Sequence, residues 1–363
     1  MKKYFVMAAL AVSTLTASAQ SVVPKWINNV KLSGFGIVQY TYNGQENNES
    51  NSFNLRLARL ALDGRAFDDW YWKAQIQFNG NTSTLGSSPK LVDLFIEWQK
   101  YDFLRVKAGQ FKNPFTYENP MHPIDQGFMS YSQVISKFAG FSDRAGAHSS
   151  NGRDIGVQLQ GDFLKNASGR NLIHYQVGVF NGQGINVKDV DQQKNIIGGA
   201  WVMPVEGMRL GAFGWIGSYA RKGTSASEGI TNTTLRRLQQ RRYAFSAEYK
   251  VDDWTFRSEY VHSTGYAFAK AMVNTNDASA KDITLSSNGD KSQGVYALVI
   301  APIIKTKCHA KARYDMYQPS KGAEKQRTQY EIGLDYYFNK NICLTGEYAY
   351  IHDRALADPN YSM

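Results

Sequence analysis

Cysteine and proline are scarce in this chain of 363 residues, at 2 and 9 respectively. That scarcity excludes a disulfide scaffold and a collagen-like or proline-rich low-complexity chain. Charged residues make up only 20%. Beyond the N-terminus no apolar run reaches about 18 residues, the least a helix needs to cross roughly 30 Å of hydrocarbon, so a helical membrane protein is excluded. His122, His148, His174, His262, His309 and His352 show no metal-ligand spacing, and no cofactor is expected. The run Asn181-Gly182-Gln183-Gly184 lacks the lysine and following helix of a phosphate loop, and no Gly-x-Ser-x-Gly element occurs. What the chain does have is aromatics, 13% of it, 31 glycines and a formal charge of +10.

Lys2 and Lys3, the apolar stretch Tyr4 to Leu15 and the small residues Ala17-Ser18-Ala19 form a secretory signal over 1–19, with the cut before Gln20. Residues 20–363 then read as one β domain. Trp72, Ala74, Ile76 and Phe78 alternate with Lys73, Gln75, Gln77 and Asn79, the two-residue period of a strand with one apolar face. The same alternation defines fifteen strands, at 30–42, 53–66, 70–80, 91–100, 103–112, 153–163, 171–180, 194–204, 207–219, 241–250, 253–263, 292–302, 305–315, 327–339 and 341–351. Short turns such as Phe67 to Trp70, Lys100 to Asp102 and Ala301 to Ile304 alternate with long polar stretches at 43–52, 80–90, 112–152, 181–193, 220–241, 263–292 and 316–327. Strands of about ten residues, short turns on one rim, long loops on the other and aromatics beside the turns predict a transmembrane antiparallel β-barrel. Bacterial barrels have even strand numbers, so sixteen are expected, with the last absent from this chain and closure depending on a strand beyond Met363.

Several segments, in order, resemble the phosphate-selective porin O/P family. They are Arg56-Leu57-Ala58-Arg59-Leu60 with Gly64-Arg65, Gly109-Gln110-Phe111-Lys112-Asn113-Pro114-Phe115 with Glu118, Arg153 to Gln158, and Val179 to Gly184. The resemblance implies a homotrimeric sixteen-stranded channel in the outer membrane of a Gram-negative cell, surrounded by outer-membrane lipids. It implies a pore narrowed by an inward-folded third loop and lined with bases for small anions such as phosphate. Without a catalytic signature no enzymatic activity is expected, and an exported barrel is not expected to have nucleic acid as a partner. The absent last strand departs from the family and points to truncation.

Residue parity gives an independent reading of the pore. A barrel of this size encloses water, and Lys307, His309, Lys311 and Arg313 share one face of the strand at 305–315, about 6.6 Å apart. They form either a ladder for anions or one half of ion pairs with Asp315, Glu331, Asp335 and Glu347. Arg105 and Lys107 make a shorter ladder, with Lys112 at the start of loop 112–152. Arg56 and Arg59 have opposite parity, so aiming both inward requires a β-bulge. The candidate pore-lining set is therefore Arg56, Arg59, Arg105, Lys107, Lys112, Lys307, Lys311 and Arg313.

Loop 112–152 carries Phe115, Tyr117, Phe128, Tyr131, Phe138 and Phe141 with three prolines, so it should pack, either inside the barrel as a constriction or against a second protomer. Arg236, Arg237, Arg241 and Arg242 read as an anion-attracting loop at the mouth or an ordinary solvated one, with Leu235 and Leu238 at helical spacing. Cys308 and Cys343 lie two strands apart, about 9.6 Å, and should not pair. An anion-selective channel leads; a non-selective diffusion porin and a barrel phospholipase or protease are the alternatives.

Overall fold

The computed structural model describes residues 26–79, 89–146, 151–270 and 281–363; the signal at 1–19 and most of the stretch at 80–90 lie outside the described residues. The alternating segments form β1 (Ile27–Asn43), β2 (Ser50–Ala66), β3 (Trp70–Gln77), β4 (Lys90–Tyr101), β5 (Leu104–Lys112), β6 (Arg153–Lys165), β7 (Asn171–Phe180) and β8 (Asn195–Val202). The second half adds β9 (Met208–Ser225), β10 (Ile230–Val251), β11 (Trp254–Thr264), β12 (Lys281–Asp282), β13 (Lys291–Ile304), β14 (Cys308–Gln318), β15 (Arg327–Asn339), β16 (Ile342–Asp353) and β17 (Asn360–Ser362). Each long strand pairs antiparallel with the next, and β11 pairs directly with β13, because β12 is a two-residue strand lying parallel on the outer end of β9. The result is a sixteen-strand antiparallel barrel with one unsealed seam.

At that seam β17 takes the sixteenth place, with Asn360, Tyr361 and Ser362 opposite His352, Ile351 and Tyr350. Gly44 N donates to Ser362 O across the seam at 3.0 Å. The tail after Asp353 was read as carrying no strand; three residues of strand are present, too few for an alternation to be legible in sequence.

The faces separate as the barrel geometry demands, since lipid cannot hydrate charge or backbone. On β15 the outward Ile332 is 61% exposed and Leu334 54%, whereas the inward Glu331 and Asp335 are 6% and 7% exposed. Aromatic pairs mark the turn rim, with Trp26 stacked on Phe67 at 5.2 Å and Trp254 on Phe256 at 5.7 Å. At the opposite rim Tyr314, Tyr330 and Tyr350 follow one another across three strands at 5.5 and 6.4 Å. Cys308 and Cys343 are both free thiols.

Two sequence readings need correction. The stretch 220–241 is largely the outer part of β9 and β10, paired from Ile230–Ser225 to Tyr249–Met208. Above the membrane both faces of a strand meet water, so no apolar alternation reveals it, and Leu235 and Leu238 sit at strand rather than helical positions. The turn placed at Ala301 to Ile304 is also displaced, because β13 continues to Ile304 and the reversal uses Lys305, Thr306 and Lys307. Lys307 is thus an exposed turn residue rather than a rung on a strand.

The outer mouth is organised by Arg221 on β9, which is fully buried. Its guanidinium donates to the carbonyls of Gly146, Lys270 and Asp282 and lies 4.5 Å over the Phe268 ring. A planar fork can satisfy three carbonyls from separate loops where a lysine cannot. Arg221→Lys should therefore loosen this mouth, and trypsin should cleave after Lys270 several-fold faster in folded protein; an unchanged rate would show that the loops hold without it.

Candidate functional site

The segment following Lys112 turns inward because its side chains are mostly apolar and the polar groups it brings meet partners on the wall. Phe115, Tyr117, Val134, Ile135 and Phe138 are buried in one cluster with Phe180, Ile197, Phe213, Trp215 and Tyr296 of the inward strand faces. A short helix α1 (Gln133–Phe138) is capped by the Ser132 side chain, which accepts from Ile135 N at 3.2 Å. The loop backbone is held by carboxylates: Glu259 accepts from Tyr117 N and Glu118 N at 2.9 and 2.8 Å, and Asp315 from Gln133 N at 2.7 Å. Glu118 in turn accepts from Ser132 N and Oγ at 3.1 and 2.7 Å.

This seating decides the fate of the proposed ladder on β14. Arg313 forms a bidentate pair with Glu331 at 2.5 and 2.9 Å and donates to Ser130 O at 3.0 Å. Lys311 donates to Asp335, Glu347 and Gly127 O, each at 2.7 Å, and to Thr345 at 2.9 Å. His309 faces Asp253 at 3.6 Å, and Lys307 lies on the turn with its ammonium 5.7 Å from the Tyr336 ring. Of the two readings left open for this strand, ion pairing describes the geometry: Lys311 and Arg313 clamp the loop and their charge is compensated. Arg242 behaves likewise, pairing with Asp143 at 2.7 and 2.8 Å, while Arg236 pairs with Glu228 at 2.6 Å.

The remaining candidates lie on the opposite wall. Arg105 pairs with Asp162, which also accepts from His174 Nδ1 at 2.7 Å. Lys107 sits 3.6 Å from Glu97 and about equally between the Phe95 and Phe111 rings, at 5.0 and 5.3 Å. Lys112 donates to Met121 O at 2.6 Å. On β2 the register slips between the Ile37–Leu57 and Val38–Leu55 pairs, leaving Arg56 as the extra residue of a bulge. Both arginines thereby reach the interior: Arg56 lies 5.9 Å from the Tyr131 ring of the loop, and Arg59 donates to Gln77 Oε1 at 2.9 Å.

Arg59, Lys107 and Lys112 converge with Lys73 and Arg153 on a cavity of about 320 Å³, bordered by Gln158, Gln160 and Gln176. Among the described residues its one lining carboxylate is Asp93, bound bidentately by Arg153 at 2.7 and 3.0 Å. At Lys73, Gln75, Met121 and His122 the cavity adjoins a larger one of about 760 Å³ that extends to Lys250 and Asn341 near the short turns. Among the described residues, no carboxylate lies within 4.0 Å of Arg59, Lys73 or Lys112. His122, at the loop's inner tip, reports the local field. Burial, followed by Lys112, Lys73, Arg59 and Arg153, pushes its imidazole down to about 4. Lys73 and Arg153 were missed as site residues, although Lys73 lies on the polar parity of β3 and Arg153 opens one of the family-like segments. No group of His, Cys, Asp or Glu suited to a metal occurs among the described residues.

A sixteen-strand barrel with an inward loop on one side of its lumen and a base-lined cavity on the other is an outer-membrane porin fold. Residues 33–191 match the model of the phosphate-selective porin O and P family, the family that the segments in the sequence resemble. Among solved structures, the outer membrane channel DcaP of Acinetobacter baumannii aligns at a TM-score of 0.59 and 11% identity, covering 97% of this chain and 98% of that one. The loop L8 deletion mutant of OmpT, an outer membrane protein of Vibrio cholerae, aligns at 0.57 and 13% identity over 92% and 97%. Salmonella typhi OmpF aligns at 0.55 and 10% identity over 94% and 97%. No curated protein matches the chain by sequence.

Proposed function

We propose that the protein is a water-filled outer-membrane channel that favours small anions, phosphate or similar oxyanions, and that it works as a homotrimer exported by the signal at 1–19. The observation that carries the selectivity is the contrast between the two walls. Arg209, Arg242, Arg257, Lys311 and Arg313 each have a carboxylate within 2.5–3.4 Å, whereas Arg59, Lys73 and Lys112 have none among the described residues. An anion at about 4 Å from one such base gains roughly 4 kcal/mol at an effective dielectric near 20, enough to offset partial loss of water yet weak enough for release. Glutamine amides on the same wall add neutral donors to an oxyanion. The trimer reading is supported by a trimer form of the Vibrio cholerae OmpT fold.

The test is phosphate block. Phosphate added to KCl should lower single-channel chloride current at concentrations where sulfate-free controls do not change. A current insensitive to phosphate would favour the general diffusion channel.

His122 gives a pH signature with a definite sign. Because its folded value lies near 4 rather than 6.5, the ring stays neutral as pH falls from 8 to 5 and becomes cationic only below that. The difference in reversal potential between parent and His122→Ala should therefore be constant from pH 8 to 5 and grow towards anion preference below 5. A difference that develops near pH 6.5 would contradict this placement.

A further inference from the structure

On the lipid-facing parity of β10, Tyr243 and Phe245 are exposed while Arg242 and Ala244 face inward and are buried. The next outward position towards the loop rim is Arg241. Its register partner on β11 is Thr264, whose partner on β13 is Lys291, so the three occupy one rung across adjacent strands. Arg241 and Lys291 are both exposed. Neither has a carboxylate within ion-pair distance among the described residues. Asp290, next to Lys291, falls on the inward parity and acts on Arg144. Directly below lies the rung Tyr243–His262–Gln293, with Tyr243 stacked on His262 at 5.2 Å and Tyr260 OH donating to Gln293 at 3.0 Å.

From this rung we infer a second binding site, on the outside of the barrel, for the phosphate-bearing headgroup of an outer-leaflet glycolipid. Two unpaired cations about 9.6 Å apart at the backbone, on flexible stems and with the Thr264 hydroxyl between them, suit a phosphomonoester, which approaches two negative charges near neutral pH. Their height fits a headgroup. They stand one rung above an aromatic bed, where amphipathic rings occupy the interface and acyl chains can lie along Phe245 and Val295 below. Solvent-facing bases without lipid would be expected to scatter along the tall outer hairpin; Arg236 and Arg237, higher on that hairpin, are instead paired with Glu228 and Asp191.

The inference rests on the membrane placement proposed above but not on anion transport, and the two can fail separately. Full-length protein in detergent is mixed with monophosphorylated lipid A, its dephosphorylated form or phosphatidylglycerol, and retained lipid is counted by native mass spectrometry. Conductance of the same preparations is measured in phosphatidylcholine bilayers. Monophosphorylated lipid A should be retained by the parent, and Arg241→Gln with Lys291→Gln should weaken retention about thirtyfold, at roughly 1 kcal/mol for each base. The double variant should keep the parent's conductance and reversal potential. Equal retention by the double variant, or of the dephosphorylated or phosphatidylglycerol lipid by the parent, overturns the site. A non-conducting parent that still shows the phosphate-dependent retention would overturn the channel reading alone.

Discussion

Replacing Arg59, Lys73 and Lys112 together with Gln should move the zero-current potential in a KCl gradient towards cation preference by the largest amount of any three charge changes in the lumen. These bases line a cavity whose single carboxylate is already bound by Arg153, so removing them leaves no compensating anion behind. Confinement by low-dielectric walls strengthens their field, while charges on the outer loops are screened beyond about 8 Å. A fall of about tenfold in the chloride-to-potassium permeability ratio is the expected size, about 1.4 kcal/mol of net preference, because lost hydration offsets most of the Coulomb gain at each base. Lys307→Gln, on an exposed turn, should leave the ratio unchanged. If the triple variant keeps the parent's potential and Lys307→Gln shifts it, selectivity lies at the turn rim instead.

Deleting residues 121–145 should raise single-channel conductance several-fold. The deleted segment carries α1 and the tip at His122, which borders both cavities, so its loss joins them into one wide path. It also removes Asp143 and the carbonyls of Gly127 and Ser130, leaving Arg242 without its carboxylate and Lys311 and Arg313 in contact with water. Anion preference should fall at the same time because the lumen no longer confines the ion. An unchanged conductance in a correctly assembled barrel would mean that ions do not pass beside this loop.

The barrel was largely legible because lipid imposes one rule on every membrane-spanning strand, and segments such as 70–80 and 327–339 obey it residue by residue. Where that rule lapses, the reading fails. The outer halves of β9 and β10 meet water on both faces and look like loop, and the three residues of β17 are too short to show a period. The bulge at Arg56 could be inferred from parity alone, because two inward arginines three residues apart cannot share a regular strand.

The site was less legible because compensation is a property of pairs far apart in sequence. Lys311 meets Glu347 across two strand spacings, and Arg242 meets Asp143 through a loop, so parity along one strand could not decide between a ladder and ion pairs for the bases on β14. One signal was available. β9 is apolar on both faces, with Phe213 and Trp215 inward and Leu210 and Ile216 outward, a pattern a water-filled lumen does not need unless something apolar is seated there. The opposite wall, with Lys73, Gln75, Gln158, Gln160 and Gln176, stays polar and borders the smaller cavity. Gly109 marks the same wall: at φ +131° a Cβ would lie 2.2 Å from Leu94 O, so β4 and β5 approach too closely for any side chain.

The most direct measurement is the zero-current potential of the unaltered protein in a planar bilayer of neutral lipid, with a tenfold KCl gradient at pH 7. Three bases without carboxylates beside the loop predict the sign of a membrane more permeable to chloride than to potassium, diminished by added phosphate. A potential of the opposite sign, or one at zero that phosphate leaves unmoved, would contradict an anion-selecting lumen.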